Sequence, residues 1–345
     1  MNCTHPSFLF LVKLLTVIAA VVILYFGSQL LIPLVYAALF ALLIVPLVNK
    51  LLRIGFSDFL AIVVSVILLL VVFAGTIGII IWQSAEMGEN TKKMEQKFDS
   101  LYKEAQHNIS SYIGYTPAEQ EAELDEALEK VPEKAFDFVS GASLVLSDWL
   151  LTFVYIVVLL VERKRIKKVA LNLIDSQHKN KALQSMDEIS ATVKDYLYGQ
   201  FLVTLILAIA YAIGFYILGI QFSVILAIIA AILTFIPYLG NILGGIMVVF
   251  MGFMSGLELE GIIYIIIFLS VVQLIESYIL KPWIIGNEIG LNIFAVIFSI
   301  VAFTILWGIA GSIIALPLTS IVRIIFFKIE GLKPFAYLIS DRKTI

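Results

Sequence analysis

The stretch Phe235-Ile236-Pro237-Tyr238-Leu239-Gly240-Asn241-Ile242-Leu243-Gly244-Gly245 determines how the rest of the sequence is interpreted. It lies within residues 222–254, an apolar segment with the composition of a membrane helix, but one proline and three glycines interrupt it. Both residue types weaken a helix, and a backbone polar group left unpaired in lipid costs roughly 2–7 kcal/mol. Interrupted backbone is therefore expected only where protein or a water-filled cavity covers it.

A second apolar segment, 291–327, is interrupted near Gly308, Gly311 and Pro317. A straight helix over either segment would be about 50 Å long. That is too long for one crossing of a hydrocarbon layer of about 30 Å and too short for two crossings and a turn. Each segment is therefore either a kinked span or a re-entrant hairpin. We favour hairpins, because 200–256 and 261–328 then form two repeats of opposite orientation, a common design for alternating access.

The composition is that of a membrane protein. Of the 345 residues, 61% are hydrophobic and only 14% are charged, whereas a soluble domain has about 25% charged residues. The mean hydropathy is +1.02. The sequence therefore predicts an all-α polytopic membrane protein with about six to eight spans, embedded in the lipid bilayer. The single cysteine, Cys3, excludes a disulfide framework and a cysteine metal cluster, and we expect neither a metal nor a cofactor.

Changes in composition divide the chain into six parts. They are three N-terminal transmembrane helices in 1–82, an extracytoplasmic amphipathic helical hairpin in 83–140, a transmembrane helix in 141–161, a basic and helical cytoplasmic segment in 162–199, a transport core with both interrupted segments in 200–328, and a cytoplasmic tail in 329–345. In the first part, 8–27, 29–48 and 59–82 are the candidate spans, each close to the roughly 20 apolar residues that one crossing needs.

The run Glu162-Arg163-Lys164-Arg165-Ile166-Lys167-Lys168 follows directly after a predicted span and predicts the orientation. Basic residues next to a membrane helix favour the cytoplasmic side. Counting from this run places the 83–140 hairpin outside, the loop with Lys50 and Arg53 inside, and both termini in the cytoplasm. Nucleic acid is not an expected partner, because acidic residues outnumber basic ones in the second helix of the 83–140 hairpin.

Several short motifs, in order and over essentially the whole length, resemble the AI-2E transporter family, also called the PerM-like family. They are Tyr198-Gly199-Gln200, Phe235-Ile236-Pro237-Tyr238-Leu239-Gly240, Gln273 with Glu276, Leu280-Lys281-Pro282, Gly286, Gly290-Leu291, and Gly308 with Gly311 and Pro317. Two positions depart from the family pattern: Asn241 stands where proline is most frequent, and Asn292-Ile293 stands where a His-Pro-like pair is frequent. Both departures fall in the expected site region.

The resemblance implies a transporter of the bacterial inner membrane that forms homo-oligomers. Members of the family are linked to export of the quorum-sensing signal autoinducer-2, and others resemble sodium/proton antiporters. The expected cargo is therefore a small polar solute, such as an autoinducer-2-like signal, or H⁺ and Na⁺.

Glu276 is the first candidate for the substrate or ion pathway. It lies in the apolar run 262–280, where a charged carboxylate costs at least about 2.5 kcal/mol on insertion scales. Such a group suits the binding and release of a proton. Gln273 lies one helical turn earlier on the same face, so both side chains can contact one ligand. The alternative is an interfacial glutamate paired with Lys281.

The other pathway candidates are Gln200, Pro237, Gly240 and Asn241. Pro237 and Gly240 free backbone carbonyls that can bind Na⁺ or a polar solute, although a simple kink is the alternative for both. Asn241 adds an amide beside this break. Gln200 begins the fifth predicted span and either lines the site or makes an interfacial hydrogen bond. Structural roles are expected for the remaining motif residues, Pro282, Gly286, Gly290, Gly308, Gly311 and Pro317.

Three other classes of function compete with a secondary transporter. A passive channel would use the hairpins to line a filter, and a membrane scaffold would act through the 83–140 hairpin. An enzyme is not expected, because the sequence lacks a His-Glu-x-x-His motif, a Gly-x-Ser-x-Gly motif and paired intramembrane aspartates. It also lacks an ATP-binding Gly-x-x-x-x-Gly-Lys-Ser/Thr loop, so direct coupling to ATP within this chain is not expected.

Overall fold

The computed structural model describes residues 6–89, 130–236, 239–286 and 289–341. Within these ranges the chain is helical, and its extended backbone forms one isolated bridge between Leu291 and Ser340. Most of the predicted 83–140 hairpin lies outside the described residues, as do Pro237 and Tyr238. The helices are α1 (Pro6–Phe26), α2 (Ser28–Arg53), α3 (Asp58–Glu89), α4 (Lys130–Asn172), α5 (Lys179–Ile217), α6 (Ser223–Leu233), α7 (Leu239–Met254), α8 (Leu259–Ile275), α9 (Lys281–Ile284), α10 (Ile293–Lys328) and α11 (Lys333–Ile339).

Five of the described helical segments are long and apolar enough to cross a membrane. They are Ser28–Arg53, Asp58–Ile79, Ser176–Ile217, Leu259–Ile284 and Ile293–Lys328. Shorter apolar helices accompany them, including the two that form the first interrupted segment. The prediction of an all-α polytopic membrane protein is confirmed.

Helices α1 and α2 are joined by the single residue Gly27. The Gly27 N–H donates to the Ile23 carbonyl at 2.8 Å, and the Gly27 carbonyl accepts from the Leu31 N–H at 2.9 Å. Helical hydrogen bonds therefore continue on both sides of the glycine. The sequence predicts two spans here, 8–27 and 29–48, and the structure has the two helices α1 and α2 in this region with the single residue Gly27 between them.

The chain divides into two compact units. The first contains Met1–Ile67, Leu151–Leu202 and Leu280–Ile345, and the second contains Leu68–Leu150 and Val203–Ile279. The first unit has a core cluster of Leu39, Val193, Trp307 and Ile314. The first interrupted segment belongs to the second unit, and the second interrupted segment belongs to the first unit.

The first interrupted segment is a helical hairpin made of α6 and α7. The two helices cross closely at Gly240, where a Cβ atom would overlap the Leu233 carbonyl, and at Gly244, where it would lie 3.5 Å from the Cα of Ala230. The ends of the segment also meet, because the Gln221 N–H donates to Ser255 Oγ at 2.8 Å. A straight helix would hold these two ends about 50 Å apart.

The second interrupted segment, α10, also returns to its starting point. Its helix breaks at Trp307 and at Gly308, which has φ 62° and ψ −145°. After the break, Gly311 lies against the Phe303 carbonyl. Gly290 lies just before α10, and Arg323 lies in the last turns of α10. Arg323 Nη1 donates a hydrogen bond of 3.2 Å to the Gly290 carbonyl. Both interrupted segments are therefore hairpins, as the sequence predicts.

The side chain of Asn292 explains how the second hairpin begins. Its Oδ1 accepts from the Ala295 N–H at 2.8 Å, which is the usual N-cap interaction of an asparagine. Its Nδ2 donates to the Leu338 carbonyl at 2.7 Å, and its backbone N–H donates to the Ile339 carbonyl at 3.0 Å. Asn292 thus both caps α10 and attaches the start of the hairpin to α11.

Candidate functional site

A cavity of about 390 Å³ lies beside the α6–α7 hairpin, entirely within the second unit. It is lined by residues of α5, α6, α7 and α8, namely Tyr211, Ala230, Gly240, Asn241, Ile242, Gly244, Gly245, Leu269, Ser270 and Gln273. Three of the predicted pathway residues, Gly240, Asn241 and Gln273, therefore line the same cavity. The interrupted backbone and the polar side chain of α8 contribute to one site.

Glycines on α7 create the space of this cavity. Gly244 allows α6 to approach closely, since its hydrogen faces the Cα of Ala230. Gly245 faces the opening instead, and the nearest described atom to a Cβ built there is a Leu269 methyl carbon at 4.0 Å. A larger side chain at position 245 would project into the cavity without touching backbone.

Asn241 brings an unsatisfied hydrogen-bond acceptor to the cavity. Its Oδ1 is buried and, among the described residues, has no hydrogen-bond partner. A buried polar atom without a partner costs about 1–3 kcal/mol, so this oxygen favours any ligand or water that donates to it. A proline, which the family pattern favours at this position, would supply no such atom.

The polar side chains of α8 leave further acceptors. Gln273 Nε2 donates to Ser277 Oγ at 3.1 Å, which directs the amide oxygen away from Ser277. Ser270 Oγ donates its hydrogen to the Ile266 carbonyl at 2.7 Å, so its lone pairs remain for a ligand. The polar end of the cavity is therefore rich in acceptors, and none of its described lining residues carries a charge.

Glu276 lies one turn beyond Gln273 and is completely buried. It begins a π-helical turn, Glu276–Leu280, and such turns are frequent at functional sites. Its carboxylate is close enough to Tyr211, a cavity-lining residue, to interact with it electrostatically. Burial is compatible with both interpretations of Glu276, a pathway carboxylate and a partner of Lys281.

Of the described pathway residues, Gln200 and Glu276 are not part of the cavity lining. Pro237 lies outside the described residues. Gln200 is buried on α5, with 3% of its surface exposed, and belongs to the first unit. It is absent from the cavity lining.

The structural motif residues occupy turns and breaks. Gly286, Gly290 and Gly308 have positive φ angles of 61°, 60° and 62°, which favour glycine. Pro282 is the second residue of α9, which follows the π-helical turn Glu276–Leu280 without a loop. Pro317 is buried within α10.

Two lining residues with polar side chains, Ser270 and Tyr211, were not among the predicted ones. Ser270 precedes Gln273 by three positions, so helical periodicity places both on one face of α8 and this signal was present in the sequence. Tyr211 comes from α5, 12 residues before the hairpin begins at Ser223, and no local pattern indicates it. In the part of the chain that the structure describes, no group of three His, Cys, Asp or Glu residues could hold a metal ion.

Comparisons with known proteins agree with this architecture. A sequence profile of the AI-2E family transporter matches residues 14–331. TqsA of Escherichia coli strain K12, which is named an AI-2 transport protein, is 23% identical over 330 residues, covering 92% of this chain and 91% of TqsA. YhhT of the same strain is 23% identical over 320 residues, covering 91% of this chain and 89% of YhhT.

YueF of Bacillus subtilis strain 168 is 27% identical over 227 residues, covering 64% of this chain and 60% of YueF. The match thus spans less than two thirds of that relative. The family profile covers far more than half of the chain. The chain therefore belongs to the AI-2E family of transporters.

Proposed function

We propose that this protein is a secondary transporter that moves a small polar solute across the bacterial inner membrane through the cavity beside the α6–α7 hairpin. The observation that supports this proposal best is the meeting of Asn241 and Gln273 in one cavity next to interrupted backbone. Transporters commonly place their binding sites at such breaks. The acceptor-rich polar end suits a solute that carries hydroxyl or amide N–H groups.

An autoinducer-2-like signal is the first specific cargo to test. TqsA, to which the chain is similar over 92% of its length, is named an AI-2 transport protein. Export of such a signal would give the protein a role in quorum sensing. We also propose that the protein works as a homo-oligomer in the membrane.

Exchange of H⁺ and Na⁺ is the second candidate function, and Glu276 is the observation that favours it. A fully buried carboxylate at a π-helical turn is a suitable group for binding and releasing a proton during transport. Ion coupling and solute transport are compatible, since a proton on Glu276 could accompany a solute bound one turn away at Gln273.

Ion pairs of the first unit support a common cytoplasmic side for several loops. Lys164 Nζ lies 3.0 Å from Asp58 Oδ2, and Lys167 Nζ lies 2.9 Å from Asp187 Oδ1. The pairs therefore connect the basic run with the loop before α3 and with the start of α5. By the positive-inside rule, we place all three in the cytoplasm.

The loop 281–290 belongs to the same side in this proposal. Lys328 Nζ pairs with Glu188 Oε2 at 2.7 Å, and Arg323 donates to the Gly290 carbonyl. A cysteine at Asn287 should therefore react with a membrane-impermeant reagent in inside-out vesicles and stay unmodified in right-side-out vesicles. Modification only from the outside would exclude this topology.

Transport itself is tested in proteoliposomes with an imposed pH gradient. Wild-type protein should move autoinducer-2, and Asn241→Ala should reduce the flux. If Glu276→Gln leaves the gradient-driven flux unchanged, a proton role for Glu276 is excluded.

The rivals to a transporter make different predictions. Single-channel currents far above transporter turnover would favour a pore. If deletion of 83–140 abolished function while Glu276→Gln did not affect it, the protein would be a scaffold.

A further inference from the structure

A second cavity of about 530 Å³ extends the first one along α7. The two cavities share Asn241, Ile242, Gly245, Leu269 and Ser270. They are therefore parts of one groove, which we call the α7–α8 groove. Asn241 lies at one end of it, and Phe253, in the last turn of α7, lies at the other.

The two ends of the α7–α8 groove differ in chemistry. The end at Asn241 has the acceptor oxygens of Asn241, Ser270 and Gln273. The part that extends beyond it is lined by apolar side chains such as Ile246, Phe250 and Ile266. These three side chains are 63%, 47% and 50% exposed, so the groove is open along its side.

The length of the apolar part suits a chain molecule. Positions 241 and 253 on α7 are about 18 Å apart at 1.5 Å per residue. A compact polar solute held by the amides at one end would leave most of this length unused. An elongated solute would use it and would bury apolar surface along it, which favours binding at about 25 cal/mol per Å².

We propose that the α7–α8 groove binds an amphiphile whose uncharged head group donates hydrogen bonds to Asn241 and Gln273 and whose apolar chain lies along α7. The open side allows such a molecule to enter from the lipid leaflet. This proposal rests on the proposed function, because the head group occupies the same cavity, and it extends the transported solutes from small polar molecules to amphiphiles with a small polar head group. An anionic head group is disfavoured, since no basic residue is among the described residues that line the groove.

Photolabelling of the full-length protein in nanodiscs tests the proposal. The probe is dodecanamide with a diazirine at the end of its chain, and mass spectrometry locates the labelled residues. Label is expected on α7 and α8 residues of the apolar part. A saturating concentration of unlabelled dodecanamide should reduce this labelling by more than about tenfold, whereas dodecanoate at the same concentration should not.

Two matched variants separate filling of the groove from a general effect of substitution. Gly245→Leu places a side chain in the groove, where the nearest described atom is 4.0 Å from the added Cβ, and should abolish labelling. Gly75→Leu makes the same change on α3, where no described atom lies within 4 Å, and should leave labelling unchanged. Equal unfolding temperatures for both variants show that Gly245→Leu is folded.

Three results would overturn the proposal. Equal labelling by a diazirine phosphatidylcholine that dodecanamide does not displace would show an ordinary lipid-facing surface. Equal competition by dodecanoate would remove the selectivity for donor head groups. A disulfide between two copies of an Ile246→Cys variant would show that a second subunit covers the groove.

The transport assay distinguishes failure of this inference from failure of the proposed function. If dodecanamide displaces the photolabel but the proteoliposomes show no flux of any solute tested, the binding site is supported and the transporter is refuted. Flux of autoinducer-2 that Gly245→Leu does not change, together with absent labelling, would refute the groove while the transporter remains.

Discussion

Replacing Gly308 by alanine tests the break in the second hairpin. Gly308 has φ 62° and ψ −145°, a combination that is accessible essentially to glycine alone. No described atom lies within 4 Å of a Cβ built at this position, so a steric clash adds nothing to the cost. The backbone strain alone should reduce the free energy of unfolding by about 1–3 kcal/mol, which is a roughly 5- to 150-fold change in the unfolding equilibrium.

The matched control is Gly75→Ala on α3. No described atom lies within 4 Å of a Cβ built at Gly75 either. Unlike Gly308, Gly75 does not have a positive φ, and it lies inside a regular helix. Alanine there should raise the free energy of unfolding by up to about 1 kcal/mol. Both variants are measured by chemical unfolding in the same lipid–detergent mixture. If Gly308→Ala is as stable as the wild type, position 308 does not need the glycine conformation and our account of the break is wrong.

The other predictions concern the second hairpin, the cavity and the ion pairs. Tyr36 Oη donates to the Ala310 carbonyl at 3.0 Å, and Tyr36→Phe removes this donor. The substitution should lower the free energy of unfolding by about 1–3 kcal/mol. An unchanged free energy of unfolding would show that water replaces the tyrosine hydroxyl. Asn241→Leu should raise the free energy of unfolding, because it removes a buried oxygen without a described partner. The same substitution should lower solute flux by at least about tenfold. Unchanged flux would show that Asn241 does not belong to the transport site. Glu188→Gln breaks the ion pair with Lys328, whose side chains are 46% and 34% exposed, and should cost at most about 1 kcal/mol, an effect that high salt should abolish in the same unfolding assay.

The hairpins could be predicted because their signal is local and strong. The proline and glycines at 237–245 and the glycines at 308 and 311 lie in apolar runs of a length that fits neither one crossing nor two. Positive φ at Gly308 and the close crossing at Gly240 give the physical reasons for those glycines. Asn241 and Gln273, which line one cavity, could be selected from the sequence because each is a polar side chain in an apolar helix.

Features that depend on contacts between distant residues could not be predicted. A hydrogen bond near the junction of α1 and α2 at Gly27 is one such feature. The Leu24 carbonyl, one turn before Gly27, accepts a hydrogen bond at 2.8 Å from Trp307 Nε1, 283 residues away. Tyr211 likewise lines the cavity only because α5 packs beside the hairpin. The expectation that Gln200 lines the site remains untested, since it belongs to the first unit.

The central claim is that the break in the first hairpin lies beside a water-filled cavity, and cysteine accessibility on α8 tests it most directly. Ser270 lines the cavity, whereas its neighbour Val271 is 48% exposed and is absent from both cavity linings. In proteoliposomes, Ser270→Cys should react with a charged methanethiosulfonate reagent, and Val271→Cys should not, because the reagent does not enter lipid. Failure of Ser270→Cys to react, or equal reaction at both positions, would contradict a cavity that is wet and confined to one face of the helix.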